Sequence, residues 1–216
     1  MFIGHNAVGF ASKAAAPRAS LGVLMAAPML PDLLWPIFLL LGIEHVRIRP
    51  GATRWTPLDF YDYPWSHSLV MTVVQAIVFA GGYWLVSRYT RGAVIAAIGV
   101  VSHWLFDFLM HRPDLPLWPH GPRAGLGMWN HPVATIAIEA GLFAIGIAVY
   151  RDVTRPRDRI GSVAFWALVI LLAAIFVGLA SGKPPKNVQQ VAWMGLSGWL
   201  IPFWAAWFDR HRVPKE

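Results

Sequence analysis

The sequence contains no cysteine, and only 13% of its 216 residues are charged, whereas soluble domains average about 25%. The absence of cysteine excludes disulfide bonds, thiolate metal ligands and a cysteine nucleophile. Charged residues this scarce, together with 56% hydrophobic residues, predict an integral membrane protein. Glycine-rich phosphate loops, nucleophile elbows and haem motifs are also missing, so the enzyme classes that depend on them have no support.

Long apolar segments run through most of the chain. Each is close to the length of about 20 residues that a helix needs to cross a hydrocarbon core. They cover residues 20–42, 66–87, 92–110, 132–150, 161–180 and 188–208. We therefore predict an all-α fold, a polytopic helical bundle of five to six transmembrane helices with a short N-terminal helix. Pro28, Pro31 and Pro36 lie within the first segment and predict that it is kinked or re-entrant.

The distribution of basic residues predicts the orientation in the membrane. Lys and Arg are more frequent on the side that holds both termini, which the positive-inside rule places in the cytoplasm. We expect a multi-pass protein of a bacterial-type inner membrane, with the lipid bilayer as its partner. The net charge of +7 is explained by these short basic loops, so we expect no nucleic acid partner, and the oligomeric state stays open.

We expect one integral membrane domain over residues 1–216. Residues 1–130 form the candidate metal-site half, residues 131–208 supply scaffold helices, and residues 209–216 form a polar tail. The N-terminus lacks the basic region of a signal peptide and is expected to be retained. The two longest loops, residues 43–65 and 111–131, fall on the same side and are positioned to cover a site. Glu44 and His45 are interpreted as ordinary interfacial charge.

Histidine and charged side chains are rare within the apolar segments: Asp32, His67, His103, Asp107 and Glu139. An ionised group in the bilayer costs about 2.5 kcal/mol or more, so such residues usually face the bundle interior and pair, bind ions or relay protons. His103 and Asp107 are four residues apart, which puts them on one face of a helix. This pair can hold one divalent ion.

Histidine and aspartate ligands without thiolates suit zinc first, with manganese or iron as alternatives. Two ligands from one helix are too few, and the candidate partners are Asp32, His67 and His5. His111 lies about 12 Å from His103 along a helix axis and is expected in the solvated loop. Glu139, His111 and His131 are interpreted as supporting or rim residues around the site.

Three elements of the sequence resemble a known family. They are LPD at residues 30–32, SHS at 66–68 and SHWLFDFLMHRPDLPLWP at 102–119. Over roughly residues 1–119, the chain resembles the membrane-bound metal-dependent hydrolases of the bacterial inner membrane, also described as LexA-binding, inner-membrane-associated hydrolases. The resemblance implies metal-binding or catalytic roles at these positions: His5, Asp32, His67, His103 and Asp107. Leu34 and Trp35 stand where that family commonly has a second Asp and a His, and the Arg-Gly that often precedes its His-Ser element is absent.

The resulting hypothesis is a membrane-embedded metal-dependent hydrolase of an ester or phosphoester, including lipid-derived ones. Metal-activated water would attack the substrate, with Asp107 or Asp32 as ligand or base. One alternative is a small proton-coupled carrier that uses the same residues as a relay and the proline-rich segment as a broken helix. Another is a structural membrane protein with a relict site.

Overall fold

The computed structural model describes residues 1–215, and it is predominantly helical. The helices are α1 (Ile3–Ala15), α2 (Leu21–Leu40), α3 (Pro64–His67), α4 (Leu69–Ser87), α5 (Thr90–Met110), α6 (Pro132–Val153), α7 (Arg159–Ser181), α8 (Val188–Leu196) and α9 (Leu200–Asp209). Six helical segments of the described chain are long and apolar enough to cross a membrane, and α8 with α9 forms one of them. The predicted helical bundle with a short N-terminal helix is confirmed.

The helix α2 is continuous in spite of its three prolines, so of the two predicted alternatives, a kinked or a re-entrant segment, the re-entrant one is wrong. Most of α2 is buried among α1, α5, α8 and α9, which shield it from lipid. His103 on α5 and Trp199 after α8 donate hydrogen bonds to carbonyl oxygens of α2 at 2.7 and 3.1 Å. The surrounding protein therefore stabilises a helix that the prolines alone would weaken.

The short helix α1 lies inside the bundle, although it is too short to span it. Its residues from Ile3 to Phe10 are nearly all buried, and it packs against α2, α5 and α6. Gly146 of α6 permits the closest of these approaches, because a side chain there would meet the backbone of Ala7. The N-terminal half of α1 is thereby fixed beside α5, where the predicted site residues lie.

Three small antiparallel sheets lie in the connections: β1 (His45–Ile48) with β2 (Leu58–Asp62), β3 (Leu115–Pro116) with β4 (Arg123–Ala124), and β5 (Thr154–Pro156) with β6 (Arg212–Pro214). Sheets β1–β2 and β3–β4 belong to the two long loops. Val46, Tyr63 and Leu115 from these loops pack in one cluster with Trp104 of α5. The loops therefore meet at one end of the bundle, here called the loop end. The expected polar tail instead contains β6.

Candidate metal centre

Five side chains that the sequence singles out meet near the loop end of the bundle. They are His5 of α1, Asp32 of α2, His67 of α3 and His103 and Asp107 of α5. All are buried except Asp32, whose side chain is 31% exposed. They form two groups of metal-competent atoms that share His103, namely His5–His103–Asp107 and Asp32–His67–His103. Within each group, the candidate ligand atoms lie within 4.8 Å of one another.

The separations between these atoms resemble those of a metal coordination sphere. The nearest nitrogen–oxygen distances are 3.2 Å from His103 Nε2 to Asp107 Oδ2, 3.3 Å from His67 Nε2 to Asp32 Oδ1 and 3.1 Å from His5 Nε2 to Asp107 Oδ1. Two ligands at zinc distances of about 2.0–2.1 Å in tetrahedral geometry lie about 3.3 Å apart. The distances from His103 to Asp32 and from His67 to Asp107 are longer, at 4.0 Å. Small inward movements would close them.

A local feature of the chain brings His67 to the level of the other residues. Pro64 begins the single turn α3, and Ser68 interrupts it with an extended backbone before α4 begins at Leu69. The apolar segment 66–87 predicted that His67 lies at the start of a long spanning helix. His67 instead ends the separate turn α3, before α4 begins. Asp107 lies only three residues before the end of α5, so this part of the site is near the loop end.

The protonation of His103 is determined by its neighbour on α2. Its Nδ1 lies 2.7 Å from the carbonyl oxygen of Pro28, which can only accept, so Nδ1 carries the hydrogen. In the neutral ring, Nε2 then carries a lone pair. This atom is buried and has no hydrogen-bond partner in the described chain. A carbonyl that orients a histidine in this way is typical of metal-ligating imidazoles.

His67 is oriented through a chain of two side chains that begins at Glu44. The Oε1 atom of Glu44 accepts the backbone N–H groups of Trp65 and Ser66 at 2.7 and 2.8 Å. Its Oε2 atom lies 2.6 Å from the Ser66 hydroxyl, which in turn lies 2.6 Å from His67 Nδ1. Because an ionised Glu44 can only accept, Ser66 donates to it and accepts from Nδ1. In the neutral ring, the Nε2 atom of His67 therefore also carries a lone pair, 3.3 Å from Asp32 Oδ1.

Glu44 is a residue that the sequence interpretation placed wrongly. It is 1% exposed rather than an ordinary interfacial charge, and burial raises the pKa of its carboxyl group. Ser68 caps α4, whereas Ser66 links Glu44 to His67. The available signal was the adjacency of Ser66 and His67, which could not by itself reveal the carboxylate behind them.

These assignments leave hydrogen-bond acceptors facing one another. The Nε2 lone pairs of His67 and His103 point at the carboxylates of Asp32 and Asp107. Four acceptors in a buried space repel one another unless a positive charge lies among them. The ammonium group of Met1, 2.6 Å from Asp107 Oδ1, supplies one positive charge, and protons on the rings or a metal cation can supply the rest. The ligand chemistry fits zinc, manganese or iron.

His5 completes the cluster from the side of α1. Its ring stacks on His103 with centroids 3.9 Å apart, its Nε2 atom faces Asp107, and its Nδ1 atom has no hydrogen-bond partner in the described chain. The amino group of Met1 also lies 2.6 Å from Asp107 Oδ1. Glu139 of α6 accepts the backbone N–H groups of Phe2 and Gly4, at 2.8 and 3.3 Å, and so holds the start of α1 in place.

His111 is buried and not part of a solvated loop, contrary to the expectation. It follows the last residue of α5 and packs against Trp129. Its Nδ1 atom lies 3.0 Å from Asp114 Oδ1, and its Nε2 atom lies 3.6 Å from Asp107 Oδ2. Tyr63 also contacts it at 3.2 Å, and burial with the nearby charge of Asp114 raises the pKa of that phenol. His111 and His131 lie outside both groups of metal-competent atoms, and His131 is exposed.

Asp32 marks the accessible side of the cluster. Tyr63, His111 and Trp129 are buried and close the loop end above it. In the middle of α2, from residue 24 to 36, only Asp32 and Leu34 are partly exposed. The cluster is therefore reached beside Asp32, at the flank of an apolar helix.

No protein-family model, curated protein or solved structure matches this chain. The family resemblance of its N-terminal half therefore stays a prediction.

Proposed function

We propose that this chain is a metal-dependent hydrolase embedded in the membrane, related to the family that its N-terminal half resembles. The observation that carries this proposal is the buried set of facing acceptors, in which two oriented imidazole lone pairs meet two carboxylates. Such a set is costly without a cation and is well suited to hold one.

The residues divide into distinct roles. His5, His103 and Asp107 would hold the cation. His67, whose Nε2 lies 4.0 Å from Asp107 Oδ2, would be a further ligand beside them. Zinc fits this donor set first, and manganese or iron would also be accepted. When bound, the cation supplies an activated water for attack on an ester or phosphoester. Asp107 is surrounded by nitrogen atoms and acts as a ligand, whereas the more exposed Asp32 is placed to take a proton from the attacking water.

The approach to the cluster supports a lipid-derived substrate. Asp32 is partly exposed on a helix that is otherwise apolar and of membrane-spanning length. An amphiphilic ester could bring its polar group to Asp32 while its acyl chains stay among apolar side chains. We place the protein in a bacterial-type inner membrane with both termini in the cytoplasm, in agreement with the basic residues of its loops.

The carrier hypothesis uses the same residues but requires no metal. It also relied on a broken first helix, whereas α2 is continuous. Metal content therefore separates the enzyme from both the carrier and the relict site.

The test is elemental analysis of the full chain purified in detergent. We expect close to one equivalent of zinc, manganese or iron in the wild type, and loss of most of it in His103→Ala and Asp107→Ala. His131→Ala is the matched control, because this exposed histidine belongs to neither group of metal-competent atoms and its variant should keep the metal. A wild-type protein that remains metal-free after incubation with each of these ions would refute the proposal.

A further inference from the structure

A basic cavity lies at the end of the bundle opposite the loop end. It forms where α6 ends, α7 begins and the β5–β6 sheet folds over them. Its volume is about 210 Å³. Four basic side chains line it: Arg151, Arg155, Arg212 and Lys215. Among residues 1–215, no acidic residue belongs to its wall. The cavity is separate from the candidate metal centre, and nothing in the proposed hydrolysis uses it.

The basic side chains of this cavity differ in how far they are already engaged. Arg212 donates to Thr154 and to the carbonyl of Gly161, and its guanidinium group lies over the rings of Tyr150 and Phe165. Arg212 therefore builds the wall. Arg151 and Arg155 are exposed, and neither forms a salt bridge with an acidic group in residues 1–215. These guanidinium groups are available to an anion.

The cavity adjoins the surface that would face lipid. Val163, Trp166 and Ile170 follow one face of α7, and they are 67%, 41% and 66% exposed. Trp166 belongs both to this face and to the cavity wall, and the guanidinium group of Arg151 lies 5.4 Å from the centre of its ring. Tryptophan favours the depth of the lipid headgroups. A ligand in the cavity can therefore continue along the apolar face of α7.

We propose that this cavity binds the phosphate of an anionic phospholipid. Arg151 and Arg155 would contact the phosphate oxygens, and the Ser162 hydroxyl in the wall offers a further donor. The acyl chains would lie along the exposed face of α7. Basic pockets between transmembrane helices on the cytoplasmic side are suited to such headgroups, and this is the side predicted for both termini.

The proposal is tested on the full chain in detergent by native mass spectrometry during titration with dioleoylphosphatidylglycerol. Dioleoylphosphatidylcholine serves as the neutral comparison. At about 1 kcal/mol for each basic residue, the double variant R151Q/R155Q should bind the anionic lipid roughly 30-fold more weakly than wild type. Binding of the neutral lipid should not change.

The matched control is R157Q/R159Q, which loses the same charge from the same short stretch of chain but does not line the cavity. It should bind the anionic lipid within about threefold of wild type, because neither side chain belongs to the wall that would contact the phosphate. Equal weakening in the two double variants would mean general surface attraction and would overturn the proposal. The proposal would also be overturned if glycerol phosphate, at the same concentration as the lipid, displaced the lipid. The ligand would then be a soluble phosphate. If R151Q/R155Q does not fold, Arg155→Gln alone should still weaken binding roughly fivefold.

Discussion

The hydrogen-bond chain from Glu44 through Ser66 to His67 can be reversed by a single isosteric change. In Glu44→Gln, the amide oxygen can still accept the backbone N–H groups that Glu44 Oε1 accepts now. The amide nitrogen would replace Oε2, 2.6 Å from Ser66 Oγ, and would donate to it. The buried Ser66 hydroxyl loses its acceptor and satisfies its own hydrogen by donating to His67 Nδ1, which moves the ring hydrogen to Nε2, where it points at Asp32. The lone pair that a metal needs is lost.

The size of the effect follows from the role of such supporting partners. Their removal typically lowers metal affinity 10- to 100-fold, which corresponds to about 1.4–2.7 kcal/mol. We expect Glu44→Gln to fall in this range and to keep its fold, because the side chain retains its shape and both backbone contacts. Ser66→Ala should also weaken binding, since it leaves His67 Nδ1 without its partner.

Two measurements test this expectation. Competition with a chromophoric chelator gives the metal affinity, and ¹⁵N spectra of histidine-labelled protein report which ring nitrogen of His67 carries hydrogen in the metal-free state. Glu139→Gln is the matched control, because Glu139 is an equally buried carboxylate that binds backbone N–H groups and no histidine. Its affinity should stay within about threefold of wild type, since the orienting contacts of the ligands are unchanged.

The reasoning would be refuted by a Glu44→Gln protein that binds metal as tightly as wild type. It would equally be refuted if wild-type His67 carried its hydrogen on Nε2 at neutral pH. A matching loss in Glu139→Gln would mean that only the negative charge near the site matters and that the direction of the hydrogen bonds does not.

Two further predictions concern the packing that holds α1 in the bundle, each measured as the free energy of unfolding in mixed micelles. Gly146→Ala should destabilise the protein by about 1–3 kcal/mol, because its new methyl group would lie 2.5 Å from a backbone oxygen of α1. Gly141→Ala is the control on the same helix. Its methyl group meets no atom within 4 Å, so this variant should be neutral or stabilising by up to about 1 kcal/mol. Asp209→Ala should lower the free energy of unfolding by about 3–5 kcal/mol, because it removes the carboxylate that lies 2.7 Å from the buried ammonium group of Lys13. Asp152 is exposed, so Asp152→Ala should change the free energy of unfolding little. Equal effects within either pair would contradict these assignments.

The sequence by itself determined the features that depend on short stretches of chain. Apolar length defined the six spanning segments, since crossing a bilayer is a property of each segment alone. The four-residue spacing of His103 and Asp107 placed them on one face of α5, because helical geometry is local. The scarcity of ionisable residues in these segments then nominated Asp32 and His67 as partners.

Only the tertiary structure decided how distant residues meet. Whether His5 reaches Asp107 depends on the burial of the N-terminal half of α1 beside α5 and α6. The prolines of α2 predicted a break, but neighbouring helices cover that helix and keep it continuous. Glu44 and His111 looked like loop residues, yet the two long loops fold onto the bundle and bury both. Hydrogen bonds across the fold then determine which ring nitrogens are free, and no local pattern in the sequence records that.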